Sequence, residues 1–149
     1  MIVPIYSRTY LARTISEISK FEGKTIKIRG WIAKKRTLKG KIFLVLRDST
    51  GMAQTITEDK SKAFKTAEKI TTESSAFIRG KVVKDPRAPG GYEVKVSEIH
   101  IVGLAETWPI ARDTSAEFLR DIRHLSLRDR KTQAMLKVRA ATFAAYHEC

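Results

Sequence analysis

A single cysteine, Cys149, among 149 residues rules out an internal disulfide and any CxxC metal pair. A lone thiol fits a reducing compartment. Histidine is almost as scarce: His100, His124 and His147 stand far apart with no partner at metal-ligand spacing, so no metal site is expected. No apolar run approaches the roughly 20 residues of a membrane-crossing helix, and the start, MIVPIYSRTYLAR, lacks the layout of a signal peptide. The reading is a soluble, cytosolic protein with no membrane partner. Phosphate-cradling loops and nucleophile elbows are also missing, because GxxxxGK(S/T), GxGxxG and GxSxG do not occur. Asp48, Glu73 and Glu93 offer carboxylates, but nothing in their spacing brings them together for acid–base work. No catalytic residue is assigned, and no self-contained active site is expected.

Acidic residues are the scarce charge. Sixteen Asp and Glu face 29 Lys and Arg, a net charge of +13 that favours a polyanionic partner through counterion release. The excess is uneven, with twelve basic and three acidic residues in 1–50 but nine and seven in 51–100. The length suits one domain, or one domain with an appendage.

Residues 1–13 read as an extended lead-in, with Pro4 opposing early helix. Ile15, Ile18 and Phe21 recur at near-helical spacing before a stop at Gly23, giving a short helix over 14–21. High β-branched content predicts a first strand over 25–35, with a bulge or sharp bend at Gly30. A second strand follows over 41–48, then a DSTG turn and a third over 52–57. Ala63, Ala67 and Ile70 share a helical face over 60–70, flanked by Phe64, with Asp59 as the expected N-cap. A fourth strand is expected over 75–83 and a fifth over 92–102, separated by the loop KDPRAPGG. The apolar parity of the fifth changes between Val96 and Ile99, which implies a bulge.

Three strands, a helix and two strands is the chain order of an OB-fold, a five-stranded barrel that binds oligonucleotides on its second and third strands. The fold class is therefore mainly β with helices. Beyond Gly103 the pattern changes. Residues 105–112 read as a linker, Thr114 and Glu117 have capping-box spacing for a short helix, and Asp129 caps a longer one. Met135, Val138, Thr142 and Ala145 line up along that helix. It runs to Cys149 without a stop signal, so the chain is expected to be cut in mid-element.

Within the second strand, Ile42, Leu44 and Leu46 take one face and Phe43, Val45 and Arg47 the other. Only one face needs burying, so Phe43 is placed outside, beside the cations Lys34, Lys35, Arg36, Lys39 and Lys41. An exposed ring next to positive charge suits a single-stranded nucleic acid, whose bases stack and whose backbone seeks cations. Pattern alone leaves a second role open, in which Phe43 is core and the lysines are simply solvated.

The blocks GKTIKIRGWI (23–32), KIFLVLRDSTGMAQ (41–54), TESSAFIRGKV (72–82), APGGYEV (88–94) and RHLSLRDRK (123–131) carry a family resemblance. The chain resembles the N-terminal part of class II aminoacyl-tRNA synthetases of the aspartate, asparagine and lysine group, most closely the asparaginyl enzymes. The resemblance implies that the OB-fold grips the tRNA anticodon and that a hinge leads to a separate catalytic domain. It implies that Phe43 stacks on the central anticodon base, a uracil, and that Gln54 and Arg36 read it. Gln54 shares parity with Met52 and Ile56, so either one of these must leave the core or the strand must bulge. Lys34, Lys35, Lys39, Lys41 and Arg47 are further candidate RNA contacts. Lys84 and Arg87 in the KDPRAPGG loop are candidates for another anticodon base, with a solvated turn as the alternative.

Trp108-Pro109-Ile110 and FLRDIRHLSLR (118–128) favour the asparaginyl over the aspartyl version. The resulting division is a lead-in over 1–21, an OB-fold anticodon-binding domain over 22–104, a hinge over 105–128, and the truncated first helix of a catalytic domain over 129–149. The resemblance also implies that the parent enzyme is a homodimer that uses ATP and magnesium to ligate asparagine to tRNA. The motifs that hold ATP and the amino acid are not among these residues, so the chain alone is expected to make no aminoacyl-adenylate. The competing readings are an aspartyl-tRNA synthetase fragment or a stand-alone OB-fold for single-stranded nucleic acid.

Overall fold

The five strands close on themselves in the order β1-β2-β3-β5-β4. They are β1 (Thr25–Leu38), β2 (Lys41–Arg47), β3 (Met52–Glu58), β4 (Ser75–Lys84) and β5 (Tyr92–Gly103). The computed structural model describes residues 12–59, 61–111 and 113–148. The lead-in up to Leu11, Lys60 at the expected helix start, Arg112 in the linker and Cys149 lie outside them. Every pairing is antiparallel except β3 with β5, where Gln54, Thr55 and Ile56 face Glu93, Val94 and Lys95 in parallel.

Alternation decides what fills the ring. Ile28, Ile32, Leu44, Leu46, Ile78, Val82 and Val94 are fully excluded from solvent, and each has outward-facing neighbours along its strand. The inner face of β3 is carried by Ala53, Thr55 and Thr57, while Met52, Gln54 and Ile56 point outward together. The two buried hydroxyls are satisfied: Thr55 donates to the Leu44 carbonyl at 3.1 Å and Thr57 to that of Ile42 at 3.2 Å. The β2–β3 register is unbroken, so the parity conflict at Gln54 is resolved without a bulge.

β1 extends to Leu38, three residues further than expected, which places Arg36 on the strand with Lys34 and Lys35. Only Lys39 and Gly40 form the turn to β2, both at positive φ (46° and 71°). Gly30 is not the bulge. That irregularity lies between Ile32 and Lys34, whereas a Cβ at Gly30 would collide with the Arg47 carbonyl of β2. The bulge expected in β5 is present, where pairing slips between Arg79 and Gly80 of β4 around Ser97.

Helix α1 (Lys62–Lys69) covers the ring with Ala63, Ala67 and the following Ile70. Ser61, not Asp59, occupies its N-cap position. A 3-10 helix over Ile15–Phe21 adds Ile15 and Ile18 to the same core. It is tied to the β2–β3 turn through Asp48, whose Oδ2 accepts from the Ile15 amide at 2.8 Å. The chain divides into two compact units after Trp108. The second contains α2 (Ala116–Asp121), α3 (Arg123–Ser126) and α4 (Arg130–Glu148). Ser115 rather than Thr114 caps α2, accepting from the Phe118 amide, and Asp129 caps α4 as expected, accepting from Lys131 and Thr132. Met135, Val138, Phe143 and Tyr146 of α4 are exposed.

Candidate nucleic-acid interface

The outer surface of β1, β2, β3 and β5 is organised in cross-strand rows. In one row Arg36 of β1 lies opposite Phe43 of β2, Phe43 opposite Ile56 of β3, and Ile56 beside Lys95 of β5. In the next row Lys34, Val45, Gln54 and Glu93 take the same order. Phe43 is half-buried on this face, outside the core. The Arg36 guanidinium sits 5.4 Å from its ring centroid. A cation–π contact at an open site contributes about 0.5 to 1 kcal/mol, against about 1 to 3 kcal/mol for stacking a base on an aromatic ring. An incoming base can therefore displace the arginine and still gain.

The Gln54 amide has a partner on β5. Its Nε2 donates to Glu93 Oε2 at 3.3 Å, and Glu93, at 8 % exposure, is nearly enclosed. A carboxylate accepts, so the NH2 side faces Glu93 and leaves the carbonyl oxygen and the second N–H available. An acceptor beside a donor matches uracil's N3–H and adjacent carbonyl; cytosine presents the reverse pattern along that edge. Glu93 was visible in the sequence only as one carboxylate among several. Its place here depends on the parallel β3–β5 pairing, which joins residues 39 positions apart.

The other sequence-predicted residues separate into two groups. Lys34 and Lys39 are exposed, and so is Lys84 at the end of β4. Lys41 shares a 3.3 Å solvent-exposed ion pair with Glu58, worth little. Arg87 folds back on Asp85 within its own turn, and that contact first of all holds the Asp85 carboxyl below the usual range. Lys35 points the other way, donating to the Glu68 and Ile70 carbonyls at 2.6 and 3.0 Å and so closing the C-terminal end of α1. Burial there lowers its pKa, with Glu68 opposing the shift. Arg47 makes a two-pronged ion pair with Glu73 at 2.9 and 3.1 Å, the side chains only 14 % and 6 % exposed. Lys35 and Arg47 thus have structural partners that sequence spacing did not reveal.

The three scattered carboxylates do not assemble. Asp48 holds the β2–β3 turn and the 3-10 helix, Glu73 pairs with Arg47, and Glu93 receives Gln54. Among the described residues no group of three or more His, Cys, Asp or Glu is placed to hold a metal ion. A cavity of about 450 Å³ opens beside Arg13, Arg29, Trp31 and Phe77 and shares no lining residue with the Phe43 face. Stacking on a ring across a sheet needs an open surface rather than a hollow. No helix among the described residues is long and apolar enough to cross a membrane.

Residues 26–102 match the tRNA anticodon family of OB-fold nucleic-acid-binding domains. The chain belongs to that family. Its curated relatives include the asparagine–tRNA ligase of Thermococcus kodakarensis, 42 % identical over 131 residues, which cover 87 % of this chain and 30 % of the relative. The Symbiobacterium thermophilum asparagine–tRNA ligase is 40 % identical over 140 residues, 91 % of this chain and 32 % of the relative. Among solved structures, the asparaginyl-tRNA synthetase of Pyrococcus horikoshii complexed with asparaginyl-adenylate superposes with a TM-score of 0.81 at 33 % identity. That match covers 93 % of this chain and 33 % of the synthetase. An aspartyl-tRNA synthetase from Entamoeba histolytica gives a TM-score of 0.80 at 21 % identity, covering 98 % of this chain and 38 % of that one, a likeness of fold alone. The chain thus spans about a third of the length of the relatives it matches.

Proposed function

We propose that this anticodon-family domain binds the anticodon loop of a tRNA on its β1–β2–β3 face, as the anticodon-reading part of an asparagine–tRNA ligase. The observation that carries the reading is the pair of adjacent outer rows, one holding a ring with a cation on it and the other an amide fixed by a carboxylate. In this reading Phe43 stacks on the central base, a uracil. Gln54, held by Glu93, accepts from its N3–H and donates to a carbonyl. Arg36 moves off the ring towards phosphate or base. Lys34 and Lys39 supply long-range attraction to the backbone, with Lys41 and Lys84 at the margins.

Asparaginyl rather than aspartyl identity rests on relatives at 40 to 42 % identity that are asparagine–tRNA ligases, whereas the aspartyl neighbour supports only the fold. Residues 105–128 then form a hinge, and 129–149 begin the first helix of a catalytic domain that dimerises in the parent family. Ligation of asparagine to tRNA in the cytoplasm, using ATP and magnesium, is the activity of that whole enzyme.

The test is Phe43→Ala measured two ways on the purified chain. Binding of an anticodon stem-loop should weaken by about 1 to 3 kcal/mol, with little change in urea unfolding. A core phenylalanine would instead cost about 3 to 5 kcal/mol of stability; that outcome would refute the assignment.

A further inference from the structure

The row that contains Phe43 does not stop at Lys95. Across the β4–β5 pairing Lys95 lies directly opposite Lys81, so the outer row reads Arg36, Phe43, Ile56, Lys95, Lys81 over five strands. Like charges directly opposite one another on a sheet repel. Both lysines are exposed, and neither has an acidic or hydrogen-bonding partner among the described residues. The carboxylate in the adjacent row, Glu93, is nearly enclosed and receives Gln54. Two lysines thus stand at one register position of β4 and β5, further along the row from Phe43 on the side away from Arg36. Ile56, only 9 % exposed although it faces outward, forms the apolar floor between them and Phe43.

We infer that Lys81 and Lys95 together bind one backbone phosphate of the RNA, next to the nucleotide stacked on Phe43, and so fix the direction in which the strand crosses the sheet. Two cations held side by side by the β-ladder gain most from a single anion placed between them, which turns their repulsion into shared attraction. The contact positions the strand without reading sequence. It places cations on both flanks of the ring and keeps the backbone along the row while the neighbouring Gln54–Glu93 row faces the base edge. This rests on the anticodon reading proposed above.

The experiment uses the whole chain and an anticodon stem-loop in which the loop phosphates are replaced one at a time by neutral methylphosphonate. Wild type, Phe43→Ala and the double variant Lys81→Gln/Lys95→Gln are compared across a salt series. In the double variant the slope of log affinity against log salt should flatten by about 0.7, the value for one phosphate on a single strand. Its preference for a central uracil should persist. One methylphosphonate position should weaken wild-type binding several-fold and have no effect on the double variant. Unfolding should be unchanged or shifted towards greater stability, because a repulsion has been removed. If Phe43→Ala loses affinity while the double variant keeps the wild-type slope, or responds to every methylphosphonate as wild type does, the phosphate assignment is wrong and the anticodon reading stands. If wild type fails to bind the stem-loop, or Phe43→Ala binds unchanged, the anticodon reading falls and this inference with it.

Discussion

Replacing Arg47 by Met tests whether this cation serves the fold rather than RNA. Its guanidinium donates to both oxygens of Glu73, and the two side chains retain only 14 % and 6 % of their exposure. Arg47→Met keeps most of the aliphatic stem and removes both of these bonds from the enclosed Glu73 carboxylate. Breaking a buried pair from one side costs about 3 to 5 kcal/mol, and the residual exposure of Arg47 places the expected loss near 3 kcal/mol. With an m-value of about 1.5 kcal/mol per molar urea, the unfolding midpoint should fall by about 2 M. Arg47→Met combined with Glu73→Met should lose less than Arg47→Met alone, because no charge is then stranded. At temperatures where the variant stays folded, the salt slope of RNA binding should match wild type. A stability loss under about 0.5 kcal/mol, as for a surface change, together with a flatter salt slope, would refute the argument and return Arg47 to the RNA-binding face.

The same division applies to the lysines. Lys34→Ala/Lys39→Ala should flatten the salt slope for all RNA sequences about equally. Lys35→Ala should instead leave that slope alone and lower stability by about 1 to 2 kcal/mol, through loss of two charge-assisted bonds at the end of α1. Asp48 contributes acid sensitivity: burial alone would raise its pKa, but the bonds donated by Ile15, Thr50 and Gly51 outweigh it and hold the carboxyl below the usual range. A depressed carboxyl stabilises the fold above its unfolded pKa and loses that contribution as pH falls through the folded value. Asp48→Asn should therefore cost about 1 to 2 kcal/mol near pH 7, allowing for partial exposure. The gap to wild type should close below about pH 4 in acid-unfolding curves.

Much of this was legible because β-structure alternates. Ile42, Leu44 and Leu46 announced the inner face of β2 and thereby the outward placement of Phe43. The strand–helix–strand order gave the ring. β3 was harder, since its inner face is Ala53, Thr55 and Thr57 and its more apolar residues Met52 and Ile56 lie outside, the reverse of a hydropathy reading. Threonine fits inside because its hydroxyl reaches a carbonyl of β2, a partner composition cannot reveal. Lys35 and Arg47 resembled every other cation because their partners are 26 to 35 residues away. The caps of α1 and α2 slipped by one or two residues, since neighbouring Ser, Thr and Asp are equivalent in propensity and only geometry chooses between them. The Lys95–Lys81 continuation of the Phe43 row could not be read at all before the parallel β3–β5 register was known.

The central claim is that this face reads a base and does more than attract a polyanion. The direct measurement compares two anticodon stem-loops, identical except for uracil or cytosine at the centre, titrated against the wild-type chain and Gln54→Ala at one salt concentration. Two hydrogen bonds that uracil satisfies and cytosine does not should give wild type a preference of about 1 to 3 kcal/mol, and Gln54→Ala should lose most of it while keeping the salt slope. Equal binding of the two stem-loops by wild type, at an affinity set by salt alone, would contradict the account.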